Sequence, residues 1–168
     1  DCRGISAGVM KPLQSCPHCG CELAKVRSVP QHRRYFAVIR ALYMHWPERH
    51  LETGWAIDLR PESEDQLRKW LQIKAGYFTI TSIEVPSDDR AIIKLAMLAA
   101  EGVAKAAKDY ILIQPNAGGL TCFTSKSISY NALGHSEFTK LAQAVEEVIV
   151  AETGHDPSRL LRETERAA

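Results

Sequence analysis

Residues 110–130 read YILIQPNAGGLTCFTSKSISY. Two runs suited to β-structure, Tyr110 to Gln114 and Leu120 to Tyr130, flank Pro115-Asn116-Ala117-Gly118-Gly119, which is the signature of an antiparallel hairpin. Upstream, Tyr77 to Val85 is rich in β-branched and aromatic residues and Pro86 closes it, so a third strand is expected. Trp55, Ile57 and Leu59 alternate as a further short strand would. Most of what surrounds these strands is helical. Tyr35, Ile39, Leu42 and Trp46 recur at helical spacing between Gln31 and Trp46, and Pro47 ends that run. Ser63 followed by Gln66 forms a capping box that opens a helix through Leu67, Trp70 and Leu71, with Gly76 as its stop. Ser136 caps a long helix striped by Phe138, Leu141, Val145 and Ile149, Gly154 ends it, and Asp156-Pro157 starts a short terminal helix. Helices mixed with a few strands make an α+β domain: a small, mainly antiparallel sheet packed with several helices.

One helix stands apart. Ser87 or Asp88 can cap a segment running to about Lys108 that holds seven alanines between Ala91 and Ala107, with Ile92, Ile93, Leu95, Met97 and Leu98 among them. Its charges, Lys94, Glu101, Lys105 and Lys108, fall near one stripe. A helix apolar around most of its circumference is buried, either in its own core or against a second subunit.

At 168 residues the chain is long enough for one domain with a small appendage. We divide it into an irregular Cys-rich arm over 1–30, closed by Pro30, and an α+β domain over 31–168. The longest wholly apolar run, Leu95 to Ala100, is far short of the ~18 residues that a membrane span needs. The first fifteen residues lack the apolar stretch of a signal peptide, Met10 is a candidate native start, and a soluble cytoplasmic protein is expected.

Four of the five cysteines precede residue 22, a poor disulfide framework and a better metal pattern. In Cys16-Pro17-His18-Cys19-Gly20-Cys21, thiolates on a tight turn can face one ion, with Gly20 freeing backbone amides toward sulfur. Cys16, Cys19 and Cys21 are the candidate ligands of a structural Zn2+ in a small knuckle, with His18, Cys2 and His32 nearby. A redox dithiol and unliganded thiols are the competing readings.

Net charge is only +1, so bulk charge gives no reason to expect nucleic acid, but its distribution does. No acidic residue lies between Glu22 and Glu48, where Lys25, Arg27, Arg33, Arg34 and Arg40 all occur. Tyr35, Phe36 and Tyr43 sit among them, the mixture of cations and rings that single-stranded nucleic-acid binders use. A solvated basic face, balanced by Glu62, Glu64 and Asp65, with aromatics at core spacing, is the plain alternative. Lys126, within Thr124-Ser125-Lys126-Ser127-Ile128-Ser129, is a further candidate for phosphate contact.

Enzyme signatures are absent: Gly118-Gly119 lacks the following Lys-Ser or Lys-Thr of a phosphate loop, and no Gly-x-Ser-x-Gly elbow occurs. Cys122, in a strand, reads as a buried small hydrophobe. We expect a non-enzymatic protein. The alternatives are a metal-dependent DNA-processing nuclease using carboxylates such as Glu62, Asp65, Asp88 and Asp89, and a protein-interaction adaptor.

The segment Arg27-Ser28-Val29-Pro30-Gln31-His32-Arg33-Arg34-Tyr35-Phe36 resembles the Arg-Ser-x-x-Gln-x-Arg-x-hydrophobic opening of phage NinB (Orf) proteins. It is more similar still to an uncharacterised phage family with a Pro-Gln-His-Arg-x-Phe-Phe core. A second matching block is Ser125-Lys126-Ser127-Ile128-Ser129-Tyr130, followed by Ser136-Glu137-Phe138 and a helix ending Glu152-Thr153-Gly154-His155. The helix around Leu67-Arg68-Lys69-Trp70 lies between them. The blocks cover residues 27–46, 63–80 and 124–160; the Cys-rich arm departs from the pattern, and the Ala-rich helix at 88–108 looks like an insertion in it. The resemblance to NinB implies a homodimeric recombination mediator that binds single-stranded or branched DNA in the host cytoplasm. By position Arg27, Gln31 and Arg33 match the first block, and Ser125 and Lys126 the second.

The zinc expectation has a direct check. Elemental analysis of the purified chain should find about one Zn2+ per chain, as a knuckle site requires, and replacing Cys16 and Cys19 with Ser should abolish it. A chain that melts identically with and without chelator would remove the site.

Overall fold

The computed structural model describes residues 29–46, 61–85, 89–129 and 132–167. The described elements are α1 (Val29–Met44), α2 (Glu64–Lys74), β1 (Phe78–Glu84), α3 (Arg90–Ala106), β2 (Ile111–Asn116), β3 (Gly119–Ser125), α4 (His135–Thr153) and α5 (Pro157–Ala167). They form an α+β architecture with a three-stranded antiparallel sheet, as expected. Cys16, Cys19, Cys21, Lys25, Arg27 and the strand expected around Ile57 lie outside the described residues.

The hairpin sets the sheet. Ala117 and Gly118 form the two-residue turn, Gly118 at φ 116°, so the strands are longer at the turn than the sequence suggested and Pro115 lies within β2. Gly119 has no substitute at its position: a Cβ there would collide with the Ile83 carbonyl oxygen of the neighbouring strand. The strand order is β1-β3-β2, all pairs antiparallel, with Thr81 and Ile113 both opposite Cys122. The two outer strands therefore run parallel to each other, and parallel strands need a long crossover. α3 is that crossover, so it is an integral part of the sheet unit and not an accessory to it.

Alternation along β3 gives the sheet two faces. Leu120 and Cys122 turn toward α3 and form a small cluster with Val85, Ile93, Ala96, Met97, Ile111 and Ile113. Phe123 turns the other way, edge-on to Phe78 at 5.0 Å, toward the side where α2 packs. Cys122 is buried as expected, and burial pushes its thiol pKa up. The main core joins α1, α2, α4 and α5 through Tyr35, Val38, Leu42, Leu67, Leu71, Phe138, Val145, Ile149 and Leu160. No helix among the described residues is long and apolar enough to cross a membrane.

Helix ends follow local chemistry, with several departures from expectation. Pro30 occupies the first turn of α1, where its missing N–H costs nothing, so the helix starts two residues inside the expected arm. Ser63 Oγ accepts from Gln66 N at 3.1 Å, while Gln66 Oε1 accepts from the Glu62 amide N–H. Asp89, one residue beyond the expected pair, caps α3 through a 2.8 Å bond from Ala91 N. α4 begins two residues early with Gly134 as its cap, which leaves Ser136 inside the first turn and the cap without a side-chain bond. Gly154 ends α4 at φ 70°, as expected, and Asp156 Oδ1 caps α5 by accepting from Ser158 and Arg159 amides. β3 stops at Ser125, so Lys126 to Ser129 are not strand. Ile128 ends the strand pattern by turning into the main core. Of the two places expected for α3, the chain's own core is not one: none of its residues is buried within the single chain.

One ion cluster ties the helical layer to the crossover. Lys69 Nζ on α2 donates to Asp109 Oδ1 at 2.8 Å, to the Lys108 carbonyl at 3.1 Å, and pairs with Asp65 Oδ2 at 3.2 Å. Its three donors are thereby all used. The Lys108 carbonyl is aimed at Lys69 because Lys108 adopts the left-handed conformation, φ 54°, as α3 ends. Partial burial pushes the Lys69 pKa down, but its bonds to Asp109 and Asp65 outweigh that and leave it raised. Burial alone would raise both carboxyl pKa values. Arg68 and Lys69 instead hold Asp65 below its usual range, and Lys69 with the Tyr110 amide does the same for Asp109.

The signs give a pH profile. The carboxylate contribution is complete above their unfolded pKa of about 4 and is lost as pH falls through the lower folded values. The ammonium contribution is complete below about 10.4 and is lost as pH rises through its higher folded value. Thermal unfolding followed by circular dichroism should show a plateau between these limits and a fall on either side. Lys69→Met should cost about 2 kcal/mol on the plateau and make the acid fall shallower. An unchanged acid limb would show that Lys69 does not govern it.

Candidate nucleic-acid interface

α1 buries Tyr35, Val38, Ile39 and Leu42 and turns Arg33, Phe36 and Arg40 outward at positions i, i+3 and i+7. Phe36 is 39% exposed, and its ring is held from behind. Tyr35 meets it edge-on at 5.4 Å and His32 lies 4.8 Å from it, while His32 also stacks on Phe138 at 5.7 Å. The outward ring is thus the top of a packed aromatic column and is pre-ordered. Of the three aromatics that the sequence placed beside the cations, Tyr35 is buried and Tyr43 is half-buried, donating to the Glu62 carbonyl at 3.4 Å. Only Phe36 faces outward, and His32, which the sequence offers as a neighbour of the cysteine cluster, backs that ring from one turn away at an i, i+4 spacing visible in the sequence.

The cations differ in what they are free to do. Arg33 is exposed and makes no ion pair among the described residues. Arg40 stands 3.7 Å from Glu64 with both side chains well exposed, a pairing of the kind that contributes little and that a phosphate can displace. Arg34 is committed: its Nη2 reaches both Glu146 oxygens, at 3.0 and 3.3 Å, and ties α1 to α4. Gln31 does similar work, its Nε2 donating to Thr139 Oγ1 at 2.8 Å.

That last bond also brings the first turns of α1 and α4 together. α1 has no acidic residue in its first turn and α4 has no side-chain cap, so backbone N–H groups of both helices add positive potential there, with Glu137 offsetting part of it. Lys126 is elsewhere. Its amide donates to the Tyr77 carbonyl at 3.3 Å and its Nζ lies 5.7 Å from the Tyr77 ring centre. Tyr77 follows α2, whose Lys74 pairs with Glu152, about 20 Å along α4 from Thr139. Lys126 and the α1 cations do not form one cluster.

A separate open cleft of about 990 Å³ lies between α2, the β2 edge and α3, lined in part by Trp46, Trp70, Phe78 and Phe123. Its Asp65, Lys69 and Asp109 are already bound to one another. Among the described residues no three His, Cys, Asp or Glu side chains are grouped to hold a metal ion. Comparison with protein-family models, with curated proteins and with solved structures finds no match to this chain.

Proposed function

We propose that the outward face of α1 binds single-stranded or branched DNA, in the recombination or replication setting that the phage resemblance implies. The observation that carries this reading is the Arg33-Phe36-Arg40 stripe: an ordered, outward-facing ring flanked by two available cations at helical spacing. Guanidinium groups neutralise phosphates while a ring offers a base a stacking surface, and single strands present both. The adjoining N-termini of α1 and α4 support the same ligand, since first-turn amides favour anions. Arg34 and Gln31 take a different part in this reading, as ties that hold α1 in place, and Lys25 and Arg27 precede the helix on the same basic stretch. The protein then acts as a binding module with no chemical step.

Fluorescence anisotropy with labelled single-stranded and duplex oligonucleotides, over a range of salt, tests the proposal. Single strands should bind preferentially, with log affinity falling against log salt by about 0.7 per phosphate contact. Arg33→Ala with Arg40→Ala should weaken binding and flatten that slope by about 0.7 for each arginine. Phe36→Ala should weaken binding by about 5- to 100-fold, the value of one stacked base, with the slope intact. Absence of binding at low salt, or arginine variants that bind like the parent, would overturn the assignment.

A further inference from the structure

α3 carries two apolar faces, and the fold uses one. Ile93, Ala96, Met97 and Ala104 face the sheet or its margin. Arg90, Lys94, Glu101 and Lys105 form a charged flank, which Lys105 places on the α2 side by its bond to Glu62. The remaining arc holds Ile92, Leu95, Leu98, Ala99, Gly102, Val103 and Ala106, without a charge. It lies across the helix from the sheet-facing residues, clear of most of the charged flank, and it is open: Leu95 is 67% and Val103 72% exposed. On the same face of the sheet as α3, Thr79, Thr81 and Ile83 of β1 are exposed as well.

From this surface we infer that the chain forms a two-fold dimer in which α3 packs antiparallel on α3 of a second copy, with Ala99 near the axis. Ile92, Leu95, Ala99, Gly102 and Ala106 repeat at the 3-4-3-4 spacing of a helix-pairing seam. The seam is bulky at its N-terminal end and small at its C-terminal end. An antiparallel copy matches large to small at both ends, setting Ile92 and Leu95 against the partner's Ala106 and the partner's Gly102. A parallel copy would oppose large to large and leave a void where small meets small. The small residues let the helix axes approach toward the close end of the usual 8–10 Å range.

The size of the patch fits the same occupant. Its aliphatic side chains expose on the order of 600 Å², the upper end of what a monomer leaves bare and most of the ~800 Å² per partner that a stable dimer covers. The charged flank stays outside the contact, so the dimer buries no ion. This inference is independent of the nucleic-acid reading.

Sedimentation equilibrium of the full chain, free of nucleic acid, at about 1–100 µM decides it, a range that brackets micromolar dissociation constants. The parent should have twice the 18.7 kDa chain mass. Leu95→Lys with Val103→Lys should bring the mass to that of one chain, with helical circular dichroism retained because both positions are exposed. Gly102→Leu tests fit and not mere stickiness: nothing lies within 4 Å of a Cβ at that position in the single chain, and the substitution keeps the face apolar. It should weaken the dimer at least tenfold. A parent that stays at one chain mass throughout overturns the proposal, as does a dimer indifferent to both variants.

Discussion

β3 is the one strand among the described residues that is hydrogen-bonded along both edges and packed on both faces. Every other choice in the fold accommodates that position. Its sequence must be apolar toward α3, where Leu120 and Cys122 are buried, and also offer Phe123 toward the helical side. It cannot carry a side chain at Gly119, where the neighbouring backbone comes too close. Because both outer strands pair with β3, they run parallel, and a helix must cross from one edge to the other. The presence of α3, and the division of the apolar residues into two cores, follow from that single placement.

Two cores require a tie, and Lys69 supplies it. Its ammonium is fixed by groups from its own helix and from the turn that follows α3, so α2 and the crossover are held in one geometry. The helical layer is tied in a similar way, with Arg34 and Gln31 joining α1 to α4 and Lys74 joining α2 to its far end. These ties restrict α1 and thereby keep Arg33, Phe36 and Arg40 on one outward stripe. Side chains that appear basic in the sequence thus divide between holding the presenting helix and being presented by it.

The parts legible in the sequence were those determined by near neighbours. Gly118-Gly119 marked the hairpin, the Ser63-Gln66 box marked α2, and the stripe from Phe138 to Ile149 marked α4, because each is local chemistry. Ser136 looks like the cap of α4 by type, whereas the backbone at Gly134 takes the extended conformation that a cap needs. Ile128 continues the apolar alternation of β3 in the sequence while belonging to a different core. The basic segment is visible in the sequence as a run of cations, but that Arg34 is engaged depends on Glu146, more than a hundred residues away. α3 was the hardest to read. Composition shows that a helix is apolar around most of its girth and does not show how much of it the chain itself covers.

The strand order also fixes how the sheet can be assembled. β2 and β3 meet across a two-residue turn, whereas bringing Thr81 to Cys122 closes a loop that includes all of α3. The longer closure costs about 2.5 kcal/mol more in chain entropy than the short one, from the logarithmic growth with loop length. The outer strands cannot pair with each other first, because β3 has to lie between them. Chain entropy therefore favours closing the hairpin first. β1 pairs with β3 alone, so it can leave the sheet without breaking a hairpin bond.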